Sequence, residues 1–595
     1  MKSMRSCSLF LVLLAAAFAG ESPSPSPLPW RAWSPEVFAE ARRTNKPVLL
    51  DLEAVWCHWC HVMDATTYRD PAVVELLRER FLLVRVDQES RPDLANRYED
   101  YGWPATVIFA PDGAERVKKQ GYIAPRAMEE LLRDVLADPT PPKARPSAVA
   151  AEPAGAPTLE AARRAELVQQ WRDGYDERAG GWGFSHKLLD WDTVEFALRA
   201  ARQGDAEAGR RARATLDLQR QLLDPVWGGV YQYSVGGDWH EPHFEKLVQM
   251  QAENLRLYAL AYARDGEPAD RAMGEAILRY LRTFLRGPEG AFYVSQDADL
   301  VPGEHSADYF ALDDAARRAR GVPRVDRHLY ARENGWVIAA LAQWSAVTGD
   351  ATARTDAERA ARWLVEHRAL PAGGFRHDER DSAGPYLGDT LAAGRAFLAL
   401  HQLTQEPEWL AHAEAAAMFI ARNFARPGAP GLVSSAGDGA GPIAPQPQFD
   451  ENVGVARFGA ALARATGRRD YLDLAECALR WLNAPEVTRE RFFYVGGLLL
   501  AEEEVRTEPA HVTIVGRRDD PVARGLFALA LRMPETHKLV EWWDPAAGPA
   551  PRGEEIFPAL DRAAAFLCAG GACSSPLETP DALQRRLAKL GLAPK

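Results

Sequence analysis

The residues of this chain best suited to chemistry are Trp56-Cys57-His58-Trp59-Cys60-His61, where two thiols stand three positions apart. The apolar run VLLDLEAV precedes them and a polar, helix-compatible stretch follows, so the pair falls where a buried strand enters a helix. The first sulfur then sits at a helix N-terminus. Unpaired N–H groups and the macrodipole favour a thiolate there, which makes Cys57 the expected nucleophile. Cys60, one turn further in, is placed to resolve a mixed disulfide. Asp51 lies in the otherwise apolar strand; a carboxyl buried there has a raised pKa and can pass a proton to or from Cys60. His58, between the cysteines, would stabilise the thiolate and make the couple more oxidising. The same residues fit C-x-x-C-H haem attachment with His61 as axial ligand, and zinc could be held by the thiols and a nearby His. Neither alternative needs Asp51, and zinc lacks a second cysteine pair in this region. An inert disulfide is the plain structural alternative. A redox dithiol with no metal and no cofactor is the favoured reading.

The elements that must position this pair can be read on either side of it. Residues 35–44 form an amphipathic helix, FLLVRVD (81–87) and ATVIFAPDG (105–113) are buried strands, 115–121 pairs back as a fourth, and 125–137 is a closing helix. That alternation makes residues 30–138 one small α/β domain. Residues 139–157, rich in Pro and Ala, form a linker. From 158 to 535 the period is helical, with stretches near 159–175, 191–204, 206–223, 245–264, 268–286, 331–348, 352–368, 387–404, 407–424, 452–466, 468–483 and 521–532. Gly/aromatic segments such as GGWGF (180–184), WGGVY (227–231), GGF (373–375) and FFYVGG (492–497) separate the pairs. This irregular repetition predicts an (α/α)6 toroid rather than an open solenoid. Residues 536–595 are expected to form a small α/β appendage.

Composition bounds the partners. The formal charge of −12 argues against a general nucleic-acid surface, and 17 Trp demand a large core or a lined cavity. Lys2, Arg5, the apolar run 9–19 and Ala17-Phe18-Ala19 read as a signal peptide over 1–19, followed by an extended Pro/Ser linker over 20–29. The mature chain is therefore expected to be exported, periplasmic or secreted, with no transmembrane segment.

Loops of the helical region carry a second constellation. His240, His243 and Glu245 fall in DWHEPHFEK (238–246), and Asp297 and Asp299 in SQDAD (295–299), each after a Gly/aromatic turn. Carboxylates and His in a funnel would suit a carbohydrate ligand or acid/base work on a glycoside; helix capping and loop ties are the structural alternative.

The strand VLLDL, the Asp51-to-Cys57 spacing, Trp56 before the first Cys, and GWPAT (102–106) resemble thioredoxin. The resemblance implies that Pro104 is a cis-proline facing the dithiol and shaping a peptide groove. CHWCHVM, RPD (91–93), GWPATVIFAPDG, GVYQYS, PHFEK and SQDAD, in this order, resemble the thioredoxin-domain family that includes spermatogenesis-associated protein 20. In that family a thioredoxin-like domain precedes a six-hairpin toroid resembling N-acylglucosamine 2-epimerase and several glycosidases. The family's PHFEKMLYDQ is here PHFEKLVQMQ.

The leading expectation is an exported thiol–disulfide oxidoreductase acting on protein thiols or disulfides, or supplied by an upstream electron donor, with a toroid that binds a client or glycan. The alternative is a carbohydrate-active toroid with the thioredoxin domain as redox sensor or scaffold. Cys568 and Cys573 flank a tight Gly turn and are expected to form a structural disulfide, with a second redox centre that relays to Cys57/Cys60 as the alternative, while Cys477 reads as a buried small hydrophobe.

Overall fold

A computed structural model of the chain describes residues 26–98, 102–138, 156–381, 383–437, 443–548 and 560–595. The expected signal segment 1–19 and most of both linkers lie outside these residues. The end of the first linker does not stay solvated, because Leu28 is an apolar anchor buried in the core of the first domain.

That domain contains α1 (Pro35–Thr44), β1 (Val48–Glu53), α2 (His58–Ala65), α3 (Pro71–Arg80), β2 (Leu82–Asp87), α4 (Pro92–Tyr98), β3 (Ala105–Phe109), β4 (Glu115–Gln120) and α5 (Pro125–Ala137). The sheet order is β2-β1-β3-β4, with β1 parallel to β2 and antiparallel to β3. The two-residue period of β1 sends Val48, Leu50 and Leu52 to a core with Phe38, Leu94 and Tyr98, and Leu49 to a core with Met63, Leu77, Met128 and Leu132. Helices therefore cover both faces. Cys57 is the N-cap of α2, with its own backbone extended and the amide of Cys60 directed at its sulfur.

The helical region contains α6 (Ala161–Asp173), α7 (Trp191–Arg202), α8 (Ala206–Gln219), the short strands β5 (Tyr233–Ser234), β6 (Pro242–His243) and β7 (Lys246–Leu247), then α9 (Val248–Asp265) and α10 (Pro268–Tyr280). An insert follows with β8 (Ser295–Gln296), α11 (Ala307–Phe310), α12 (Asp314–Arg320) and β9 (Val325–Asp326). After it come α13 (Ala331–Thr348), α14 (Ala351–Arg368), α15 (Leu387–Thr404), α16 (Pro407–Asn423), α17 (Phe449–Thr466), α18 (Arg469–Leu482), the short α19 (Pro485–Arg489) and α20 (Gly496–Arg506). Helices α7, α9, α13, α15, α17 and α20 pack side by side, and α20 returns against α7. They form a closed inner ring, with an outer helix on each, which is an (α/α)6 toroid. Its sixth inner helix is α20, which none of the stretches read from the sequence covers, whereas the 521–532 stretch is α21, outside the ring. Leu498, Leu499, Leu500 and Ala501 are buried all round, so α20 shows no amphipathic stripe, and its opening Gly496-Gly497 reads as a turn.

Ion pairs cross the ring as a floor. Glu195 on α7 meets Arg256 of α9 and Arg457 of α17, and Arg457 also holds Glu504 of α20 at 3.0 Å. Buried charges persist only when paired in this way. One cavity lies on each side of the floor.

The C-terminal unit contains β10 (Ala510–Val515), α21 (Pro521–Leu531), β11 (Lys538–Trp543), β12 (Ala564–Ala569), β13 (Ala572–Cys573) and α22 (Pro580–Ala588). Its sheet therefore begins at Ala510, and the boundary drawn at 535/536 cuts through it. The order β11-β10-β12-β13, with β10 and β11 parallel and the other pairs antiparallel, repeats the strand order and directions of the first sheet. Cys568 and Cys573 face each other across the β12–β13 hairpin and are joined by a disulfide. Cys477 on α18 is half-buried.

The inner ring tolerates little added volume. A Cβ on Gly335 of α13 would stand 2.6 Å from the carbonyl carbon of Ala392 on α15. Gly335→Ala should lower the calorimetric unfolding midpoint, at a net cost of about 1–3 kcal/mol, despite a helix-propensity gain of about 1 kcal/mol. A raised midpoint would contradict this packing.

Candidate functional site

Cys57 and Cys60 form a disulfide, and they are only 3% and 4% exposed. Trp56, Ala54, Trp103 and Leu247 pack around them. Trp103 precedes Pro104 through a cis peptide, and Pro104 is buried. Trp59 points outward, 41% exposed, beside Tyr122.

Asp51 is buried, and burial pushes its pKa up against the pull of Arg85. Arg85 stands opposite Asp51 in the parallel register, with its Nε 3.0 Å from Asp51 Oδ2. It also reaches Glu53 and Asp64 and lies over the Trp30 ring at 4.2 Å. Burial, partly offset by Arg85, raises Glu53 to about 8. Arg85 was missed in the sequence, although an Arg inside the apolar run FLLVRVD was a signal that a buried carboxylate needed a partner.

The toroid supplies the other half of the site. Strand β7 pairs with β8 in the register Lys246↔Gln296 and Leu247↔Ser295, and β8 pairs with β9. This three-stranded rim holds Leu247 against the disulfide, and the amide of Ala298 donates to the carbonyl of Trp56. Asp299 then lies between two imidazoles: its Oδ1 is 2.8 Å from His58 Nδ1 and its Oδ2 is 3.0 Å from His61 Nδ1. The Gly303 amide donates to Oδ2 at 2.8 Å. Burial would raise Asp299, but the hydrogen bonds from His58 and His61 outweigh it and hold the carboxyl down at about 2. Asp297 lies 3.8 Å from His61 Nε2, and burial pushes it up to about 7 against the pull of that ring. Burial lowers His61, but the Asp299 hydrogen bond and both aspartates more than offset it, so the net shift is upward.

The toroid residues singled out in the sequence are therefore not assembled in the funnel. His243, Glu245 and Asp299 line a 20 Å³ pocket with His58 and His305 at the junction of the two domains. His240 is exposed, and Asp297 turns toward His61. Lys246 of the same motif is fully buried and pairs with Asp224 at 2.7 Å, with Arg317 on the same oxygen. The funnel itself is a cavity of about 310 Å³, with Trp56, Glu89 and Trp103 of the first domain closing it and Trp191, Glu253 and Trp336 among its toroid wall. Trp56 Nε1 donates to Glu89 Oε1 at 3.0 Å, and His377 Nε2 lies 2.6 Å from the Glu89 carbonyl. Glu89 and His377 carried no sequence signal, since their partners are remote in the chain.

Fold and site together define a thioredoxin-like domain whose dithiol face is docked on the mouth of a six-hairpin toroid. Residues 21–138 match the thioredoxin family of DsbH type, described as a protein of unknown function, DUF255. Spermatogenesis-associated protein 20 of Mus musculus is 28% identical over 313 residues, covering 47% of this chain and 39% of the relative. The Homo sapiens protein is 29% identical over 313 residues, covering 47% and 40%. The chain thus spans about two-fifths of the length of these curated relatives. These matches bear out the resemblance carried by CHWCHVM, PHFEK and SQDAD. Thiol:disulfide interchange protein DsbD 1 of Pseudomonas aeruginosa is 41% identical over 101 residues, 16% of this chain and 17% of that protein. Among solved structures, a sugar epimerase from a ruminal bacterium is similar at 12% identity and a TM-score of 0.42, covering 54% of this chain and 86% of that one.

The aspartate–imidazole junction has a definite pH sign. Asp297 and His61 both have folded pKa values raised above their unfolded ones, so their stabilisation is full at low pH and is lost as pH rises through the folded values. Asp299, depressed to about 2, weakens the junction only below about pH 4. Thermal midpoints from pH 5 to 8 should therefore fall less steeply for Asp297→Asn than for the natural chain; equal slopes would show that Asp297 does not titrate there.

Proposed function

We propose that the chain is an exported thiol–disulfide oxidoreductase whose working couple is Cys57/Cys60 and whose toroid governs access to it. The observation that carries this reading is the position of Cys57: an N-cap sulfur, bonded to Cys60, packed beside Trp56 and Trp103, yet covered by toroid residue Leu247. A thiolate released at a helix N-terminus is stabilised by the amides there. In the oxidising direction a client thiolate attacks Cys57 Sγ and Cys60 leaves as a thiolate. A second client thiolate then attacks the client sulfur of the mixed disulfide and releases Cys57, so two electrons pass to the pair. The reducing direction runs in reverse. Asp51 is buried, held by Arg85 through Oδ2 and accompanied by the buried Tyr68 hydroxyl. Its carboxyl, pushed up by burial, is suited to take or return the Cys60 proton.

Export is supported by the leader pattern in residues 1–19 and by two disulfides, and no helix among the described residues is long and apolar enough to cross a membrane. A glycan or another polyol is the occupant class that the Trp- and Glu-bearing funnel wall would accept, with the funnel then acting as the client-selecting element.

Mass-resolved thiol trapping across glutathione buffers tests the proposal. The Cys57/Cys60 pair should titrate reversibly between about −120 and −270 mV. In a Cys60→Ser variant, Cys57 should accumulate as a mixed disulfide with the added thiol. A pair that stays oxidised below about −300 mV would be structural and would overturn the reading.

A further inference from the structure

A second cluster adjoins the funnel wall. Glu333 stands in the first turn of α13, Asp389 in the first turn of α15, and His377 in the loop between the two hairpins. All three are buried, and one donor atom from each lies within 4.8 Å of the others. We propose that Glu333, His377 and Asp389 bind one divalent first-row transition-metal cation at the wall of the funnel.

The imidazole is oriented for this role. His377 Nε2 is 2.6 Å from the carbonyl oxygen of Glu89, and a carbonyl can only accept, so Nε2 carries a proton. Nδ1 is then the atom directed at Asp389 Oδ1, 2.8 Å away. Tyr330 stacks on the ring at 4.1 Å and 14°, which fixes its plane. A backbone carbonyl holding one ring N–H so that the other nitrogen faces outward is the usual support of a metal-bound His.

The carboxylates leave valences that nothing else fills. Arg332 gives its Nε and Nη2 to Glu333 Oε1 and its amide to Asp389 Oδ1. Glu333 Oε2 and Asp389 Oδ2 stay buried with no hydrogen-bond partner among the described residues. Leaving such oxygens unpaired is costly. A proton on His377 Nδ1 would satisfy only the line to Asp389 Oδ1, whereas a cation accepts all three donors. A cation that displaces a proton from His377 Nδ1 meets two carboxylates, one neutral imidazole and the charged Arg332, a set with one net negative charge.

One imidazole and two carboxylates suit Mn²⁺, Fe²⁺, Co²⁺ or Zn²⁺ and lack the soft sulfur that Cu⁺ prefers. Glu333 lines the funnel together with Arg332 and Gly388, whereas His377 and Asp389 lie behind the wall. Glu333 thus brings the cluster to the edge of the funnel. The other His/Asp cluster, His61 with Asp297 and Asp299, has no such surplus, because both Asp299 oxygens are engaged by His58, His61 and Gly303.

The test uses the full chain with its disulfides oxidised, stripped by chelator and dialysed against Co²⁺. The expected result is one Co²⁺ per chain, visible ligand-field bands without a thiolate charge-transfer band, release of protons on binding, and displacement by Zn²⁺. Glu333→Gln should weaken Co²⁺ binding at least about tenfold, while Asp297→Asn should leave it unchanged. Absence of retained Co²⁺ in the natural chain, a sulfur-type spectrum, or loss confined to Asp297→Asn would each overturn the proposal; the first two need no variant to fold.

Discussion

Much of this structure follows from a single carboxylate placed between two imidazoles. His58 and His61 flank Cys60 on the redox helix, and both lean on Asp299, which belongs to the toroid. Charge-assisted hydrogen bonds of this kind contribute about 1.5–3 kcal/mol each when shielded from water. They fix the orientation of the dithiol helix, draw Leu247 onto the disulfide, and close the funnel with Trp56 and Trp103.

This arrangement gives the toroid's loop motifs a role different from the one their composition suggests. PHFEK and SQDAD have the carboxylates and histidines of an acid/base site, but their backbones pair as β7 and β8 to build a rim. Lys246 is spent on a buried pair with Asp224, and burial lowers its pKa to about 8. Asp297 and Asp299 face the redox helix. Among the polar groups that face the funnel, Asp192, Glu333 and Glu451 stand in the first turns of inner helices above a floor of Arg–Glu pairs, and Glu89 comes from the first domain. The two ends of the ring are closed alike, each by a four-stranded sheet of the same order and directions, one bearing the dithiol and the other the hairpin disulfide.

The local chemistry was legible in the sequence because it is local: a strand with Asp51, a C-x-x-C pair at a helix start, and Pro104 ahead of a strand all reflect neighbouring backbone. Eleven of the toroid helices were legible from their period, whereas α20 was not, since a helix buried on every side has no stripe to read. The pairings that define the site span more than 200 residues of sequence, as with His58 to Asp299 and Glu89 to His377. No pattern of type or spacing encodes such contacts. Arg85 lies between these cases: its presence in an apolar strand signalled a buried partner, and only the parallel register identifies that partner as Asp51.

The central claim is that docking through Asp299 controls access to Cys57–Cys60. The most direct measurement is the rate at which dithiothreitol reduces this disulfide in the full oxidised chain at pH 7, followed by quenched alkylation and compared with Asp299→Asn. Loss of the shared carboxylate charge should raise that rate about ten- to a hundredfold, matching the loss of about 1.4–2.8 kcal/mol of docking energy, while Cys568–Cys573 reduces at an unchanged rate. Equal rates for Cys57–Cys60 in the two proteins would contradict the account, because the toroid would then cover the disulfide without governing it.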